Sequence, residues 1–132
     1  MALIVPNNSE LSMLRFITGN DTPGTITLNL YNNDVTPSES DVAGTYTEPV
    51  GDGYASKSLS SGSWTFATVG NESSATYNSA QVFTFTGGPK SIYGYMLLDG
   101  GGDLLWVESF KGVVNVDAGG GDITITPKIN LE

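Results

Sequence analysis

The sequence contains no cysteine and no histidine. Without cysteine there is neither a disulfide framework nor thiolate ligation of a metal. Without histidine the usual general base near neutral pH is gone, together with Ser-His and Cys-His nucleophile pairings and imidazole metal sites. Positive charge is scarce: Arg15, Lys57, Lys90, Lys111 and Lys128 stand singly against fourteen Asp and Glu, for a formal net charge of −9. Nucleic-acid affinity rests on clustered cations that release counterions, so no phosphate-tracking groove is expected. Long hydrophobic runs are missing as well. The opening MALIVPNNSE has no basic segment and its apolar run stops at Pro6, so neither a signal peptide nor a membrane span is expected. The chain is expected to be made in a cytoplasm and kept there or released by lysis.

What is present fits one core. A length of 132 residues is near the commonest size of a single domain, so residues 1–132 are expected to form one β-sandwich domain without staples. Only NNSELSMLRFITGN has a helical period, which predicts one short N-terminal helix over residues 8–18. Asn7 is placed to cap it, Glu10 follows three residues later as in a capping box, and Gly19 can close the C-terminus. Leu11, Leu14, Ile17 and Thr18 recur on one face, and Met13 and Phe16 widen it, so the helix should lie against a sheet.

Beyond the helix the period changes to 2. Ile26, Leu28 and Leu30 alternate with Thr25, Thr27, Asn29 and Tyr31 in a half-buried strand. The Asn-, Ser-, Pro- and Gly-rich section that follows reads as a variable surface loop with short strands near Thr45–Val50 and Tyr54–Leu59. Further strands are predicted at Ser63–Val69, Ala80–Thr86, Ser91–Leu98, Asp103–Phe110, Gly112–Val116 and Asp122–Leu131, with a bend or sheet edge at Pro127. This spacing predicts a mainly β fold, an antiparallel β-sandwich of jelly-roll type, and no crossover helices.

Few residues carry chemistry. The loops DGGGD (Asp99–Asp103) and DAGGGD (Asp117–Asp122) have carboxylates and glycines, as calcium loops do, but lack the alternating ligands and late Glu of an EF-hand. They are expected to be tight turns, with no metal and no cofactor. Glu48, Asp52, Glu108 and Asp34 could be set against each other as a glycosidase pair, yet nothing in the sequence brings two together. They read as surface carboxylates, Glu108 being the one to watch between Trp106 and Phe110. Asn7-Asn8-Ser9, Asn20-Asp21-Thr22 and Asn71-Glu72-Ser73 match the glycosylation pattern without a secretion signal to give it meaning. No enzyme is expected.

Aromatics are the remaining candidates. Trp64 with Phe66, and Phe83 with Phe85, share faces as sandwich-core residues do. The stretch SIYGYMLLDGGGDLLWVESF is apolar on both faces of a hairpin, which makes Tyr93, Tyr95, Trp106 and Phe110 a candidate packing or interface surface. Its second face should be covered by the helix or by a neighbouring copy, and Gly94 should mark a bulge or close backbone approach.

The phrases LIVPNNSELSMLRFITG, LNLYNNDVTPSESDVAGTYTEPVGDGYASKSL leading into SWTF, IYGYMLLD with LLWVESF, and DITITPKINL resemble small virion proteins of tailed bacteriophages over nearly the whole chain. The resemblance implies a non-enzymatic structural protein, a capsid decoration or cement protein on the exterior of the virion. Its implied partners are the major capsid protein and its own copies, as a homotrimer at local threefold positions. Nucleic acid and membrane are not implied. A tail or fibre module that binds host-surface glycan is the alternative, and would need aromatics exposed in a shallow groove.

Overall fold

Alternation breaks down between Ser91 and Phe110 because both faces of the strands are buried, each against its own core, and two register shifts interrupt the pairing there. In a computed structural model, which describes residues 3–131, this stretch forms β7 (Lys90–Leu98) and most of β8 (Leu104–Val116). One shift lies between Ile92 and Gly94, the other where Leu97 pairs with Trp106 and Leu98 with Leu104. Each shift carries side chains to the opposite face, since pleated strands alternate with a period of 2. Ile92, Tyr95 and Leu97, with Leu105 and Trp106, enter the main core, whereas Met96, Leu104 and Val107 enter a second one.

The fold is mainly β and antiparallel, a β-sandwich with one helix. Its first sheet has the order β1-β8-β7-β2-β3, with β1 at Leu3–Ile4, β2 at Ile26–Tyr31 and β3 at Lys57–Leu59. The second layer contains β4 (Trp64–Val69), β5 (Glu72–Tyr77) and β10 (Lys128–Leu131) in the order β10-β5-β4, and a ribbon of β6 (Gln81–Phe85) with β9 (Gly121–Ile125). A bond from the Tyr77 N–H to the Pro127 carbonyl, 2.9 Å, joins ribbon and sheet. Pro127 therefore separates β9 from β10, the bend expected from its missing donor. Leu28 and Leu30 of β2, Phe83 and Phe85 of β6, and Ile123 and Ile125 of β9 fill the space between the layers. Each contributes roughly 1.5–3 kcal/mol by leaving water. The ion pair Lys90–Asp52 at 2.9 Å is half exposed, and such pairs contribute under about 1 kcal/mol, so burial dominates.

Several expected elements differ. Gly112 does not divide β8, which runs unbroken from Leu104 to Val116. β5 was not legible because ESSATY has small polar residues where apolar alternation should be. Thr45–Val50 holds no strand; a 3₁₀ turn occupies Ala43–Thr45. The second face of the β7–β8 hairpin is covered not by the helix but by this loop, through Val35, Ala43 and Tyr46, with Ile4 of β1 beside them.

The helix α1 spans Asn7–Ile17, and its N-cap is Pro6 with no side-chain cap, so the expected Asn7–Glu10 capping box is absent. Its C-terminus closes as a Schellman turn: Gly19 has φ 71°, its N–H reaches the Phe16 carbonyl, and the Asn20 N–H reaches that of Arg15. The face turned to the sheet is the less expected one. Ser9 and Ser12 are buried, the Ser9 hydroxyl donates to the Leu105 carbonyl, and Met13 and Phe16 pack on the main core. Small serines let the helix approach β8 closely, which leaves Leu11, Leu14 and Ile17 on the solvent side, Ile17 at 82% exposure.

Candidate functional site

The four aromatic candidates do not form one surface. Tyr95 and Trp106 are buried in the main core, at 6% and 5% exposure, and Phe110 packs beside Tyr95 with ring centroids 6.4 Å apart. Tyr93 packs on the second core, across the sheet from the others. The indole N–H of Trp106 is buried and finds no acceptor among the described residues.

The carboxylates are engaged in structural bonds. Glu108 accepts from the Tyr95 hydroxyl, Glu48 accepts from that of Tyr54 at 2.8 Å, and Asp52 pairs with Lys90. Asp34 is exposed. Asp99 Oδ1 accepts the N–H groups of Gly101 and Asp103, each at 2.9 Å, as a turn-capping aspartate does. In the second glycine loop the Gly120 N–H returns to the Asp117 carbonyl at 2.9 Å, with Gly120 at φ 89°.

The tyrosine–carboxylate pairs have a measurable consequence. Burial first, then the bond to Glu108, pushes the Tyr95 hydroxyl well above its ordinary value; burial with Glu48 does the same for Tyr54, and burial with Asp41 for Tyr46. Burial and the nearby carboxylates of Asp41 and Glu108 push Tyr31 up to about 12. Raised phenol values mean that the stability these groups add is complete below about pH 10 and is lost as pH rises through the shifted values. In a phenolate absorbance titration at about pH 11, these four tyrosines should stay protonated until the circular dichroism of the fold is lost. Immediate full ionisation at that pH would contradict their burial.

The feature that stands open is on the second layer. Trp64, Phe66 and Thr68 of β4 share the inward face with Tyr77, Ala75 and Ser73 of β5, which pair with them in order. Ile129 and Leu131 of β10 continue the rows opposite Ala75 and Ser73. The near end of this face is anchored: Trp64 sits edge-on to Tyr77 and Trp106, at 5.1 and 6.3 Å. The far end has no cover, and Phe66 is 76% exposed although it shares the Trp64 face, which corrects the expectation that both are core. An open apolar groove of about 450 Å³ results, with Phe66, Ala75, Ile129 and Leu131 along it. Met13 and Trp106 form the adjoining floor, so the groove meets the helix.

The sequence matches no protein-family model and no curated protein.

Interaction, then, is the chemistry this surface offers. None of the groove residues is charged. The β4 strand WTFATV lies at a sheet edge and carries neither charge nor proline, the usual guards of a free edge. One turn of helix beyond Met13 lies Ile17, which leads to Leu14 and Leu11, a bare apolar ridge beside the groove. Helical spacing had marked these three residues, but as core. Phe66 was marked as core by its phase with Trp64, and no signal in the sequence separates the covered end of that face from the open one.

Proposed function

We propose that this protein is a non-enzymatic virion structural protein of a tailed bacteriophage, a decoration protein that binds the outer surface of the capsid and stabilises the shell. The observation that carries the reading is the uncharged apolar groove with its neighbouring bare helix ridge on a chain of net charge −9. Monomeric soluble proteins seldom leave large adjoining apolar patches bare, because each exposed patch invites association. A protein whose work is to be covered has reason to keep them. The resemblance to small phage virion proteins supplies the class of partner, the major capsid protein, and the expectation of a homotrimer at the capsid exterior. The engaged carboxylates and the lack of histidine and cysteine fit a role without catalysis. Binding of host glycan by a tail or fibre module needs aromatics exposed in a shallow groove; Tyr95 and Trp106 are buried, and Phe66 is the aromatic left exposed along this one.

Purified protein mixed with undecorated capsids should co-sediment with them at a fixed number of copies per shell and raise the temperature at which the shell breaks. Failure to co-sediment would overturn the capsid reading, and saturable binding to host glycans instead would favour the tail alternative.

A further inference from the structure

The two bare apolar surfaces differ in shape. The groove between β4, β5 and β10 is concave, and the Leu11–Leu14–Ile17 ridge of α1 is convex, with its residues spaced three apart along one side of the helix. A helix face laid into an apolar groove is a common mode of recognition, read through anchors at such spacing.

Charge selects the occupant. The groove has no charged residue, and α1 has one acid, Glu10, and one base, Arg15, so both surfaces are neutral while the chain carries −9. A basic partner would be met through carboxylates, which the groove lacks. A like-charged partner, by contrast, meets least repulsion where neither side presents net charge. Every copy of this chain is such a partner, and each brings both the ridge and the groove. We propose that copies of this protein associate by seating the α1 ridge of one copy in the β4–β5–β10 groove of the next, with Phe66 and Leu14 as the central anchors. Ridge and groove are different patches, so the contact is heterologous and closes into a ring when the rotation permits. The contact rests on the homo-oligomer part of the reading above and not on the capsid part.

The test uses the full chain and its mass in solution by sedimentation or light scattering. Wild type should have the mass of a small closed oligomer. Leu14→Lys and Phe66→Glu each place charge at an exposed position, so circular dichroism and melting midpoint should hold while the mass falls to that of a monomer. The expected weakening of self-association is roughly 30-fold or more, as for loss of a central anchor. Mixing the two variants should restore a species containing both, because the intact groove of Leu14→Lys can accept the intact ridge of Phe66→Glu. A monomeric wild type, unchanged masses in both variants, or no recovery on mixing would each overturn the contact. So would loss of association in Phe66→Glu alone, which would mean that groove meets groove. Co-sedimentation of the wild type with capsids is read independently of these masses, so failure of the contact and failure of the capsid reading are distinguishable.

Discussion

Gly94→Ala should destabilise the fold by about 3 kcal/mol, the upper part of the range for overpacking. A Cβ at Gly94 would run into the backbone carbonyl of Glu108 and the hydroxyl of Tyr31, and would lie 2.6 Å from Tyr31 Cζ. Neither neighbour can yield. Glu108 pairs with Tyr95 within the β7–β8 ladder, and Tyr31 is fully buried opposite Gly94 on the other side of β7. The methyl group therefore has to part β7 from β8 or expel the Tyr31 ring from the second core. Gly112→Ala is the control, because Gly112 lies in the same long β8 with nothing near its Cβ. Replacing a strand-interior glycine in open space should be neutral or stabilise by about 0.5 kcal/mol. Urea melts decide the matter through the midpoint, with the slope unchanged. A Gly94→Ala midpoint close to wild type would show that the strands can part there at little cost.

The fate of the hairpin shows what the sequence could and could not reveal. Period-2 alternation identified β2, β6 and β9 because Leu28 and Leu30, Phe83 and Phe85, and Ile123 and Ile125 each fall on one buried face between the layers. The same signal is silent in β5, whose place in the sheet follows from hydrogen bonding to β4 and β10 on either side rather than from its own side chains. A hairpin apolar on both faces announces that two covers exist but not which segments supply them. The cover turned out to be a loop with few regular hydrogen bonds, and no periodicity marks a segment of that kind. For the helix, two serines outweighed three large aliphatic residues. The buried face was chosen by close approach and the Ser9 bond to Leu105, which pattern counting on hydrophobicity cannot see.

The exposed surface was partly legible for the same reason. Leu11, Leu14 and Ile17 were recognisable as a stripe, and Phe66 as an inward-phased aromatic, but whether a stripe or an inward face has anything over it depends on the relative lengths and offsets of the layers. Those are tertiary facts. The residues singled out from the hairpin as a packing or interface surface, Tyr93, Tyr95, Trp106 and Phe110, lie in packing on two different cores, with Trp106 alone of the four reaching the floor of the groove.

Tyr46→Ala should cost about 3 kcal/mol and should act first on the loop of residues 32–50 rather than on the sandwich. The ring is 5% exposed, sits 4.7 Å from that of Tyr31, and shares the second core with Met96, Leu104 and Val107. Truncating a buried aromatic to alanine removes both its transfer energy and the packing around the space it leaves, which sets the magnitude. Beyond Tyr46 the loop is held by Val35 and Ala43 on the same core and by scattered single bonds, among them the Asn7 N–H to the Glu39 carbonyl and Lys90 Nζ to the Val50 carbonyl, each 2.9 Å. The Asn32 N–H bonds the Thr47 carbonyl at 2.8 Å, and Asn33 bonds both the Thr45 carbonyl and the Thr47 N–H. These bonds contribute about 1 kcal/mol each, less together than the loop's ordering entropy requires without Tyr46. Amide exchange in residues 32–50 should therefore quicken well before that in β7 and β8, as expected when a weakly tied unit opens on its own. Tyr46→Phe separates the causes: it keeps the ring and removes only the 2.6 Å bond to Asp41, so it should cost about 1 kcal/mol. If exchange instead quickened uniformly across loop and sheet in Tyr46→Ala, the second core would have to be one cooperative unit with the first, and the loop an integral layer of the sandwich.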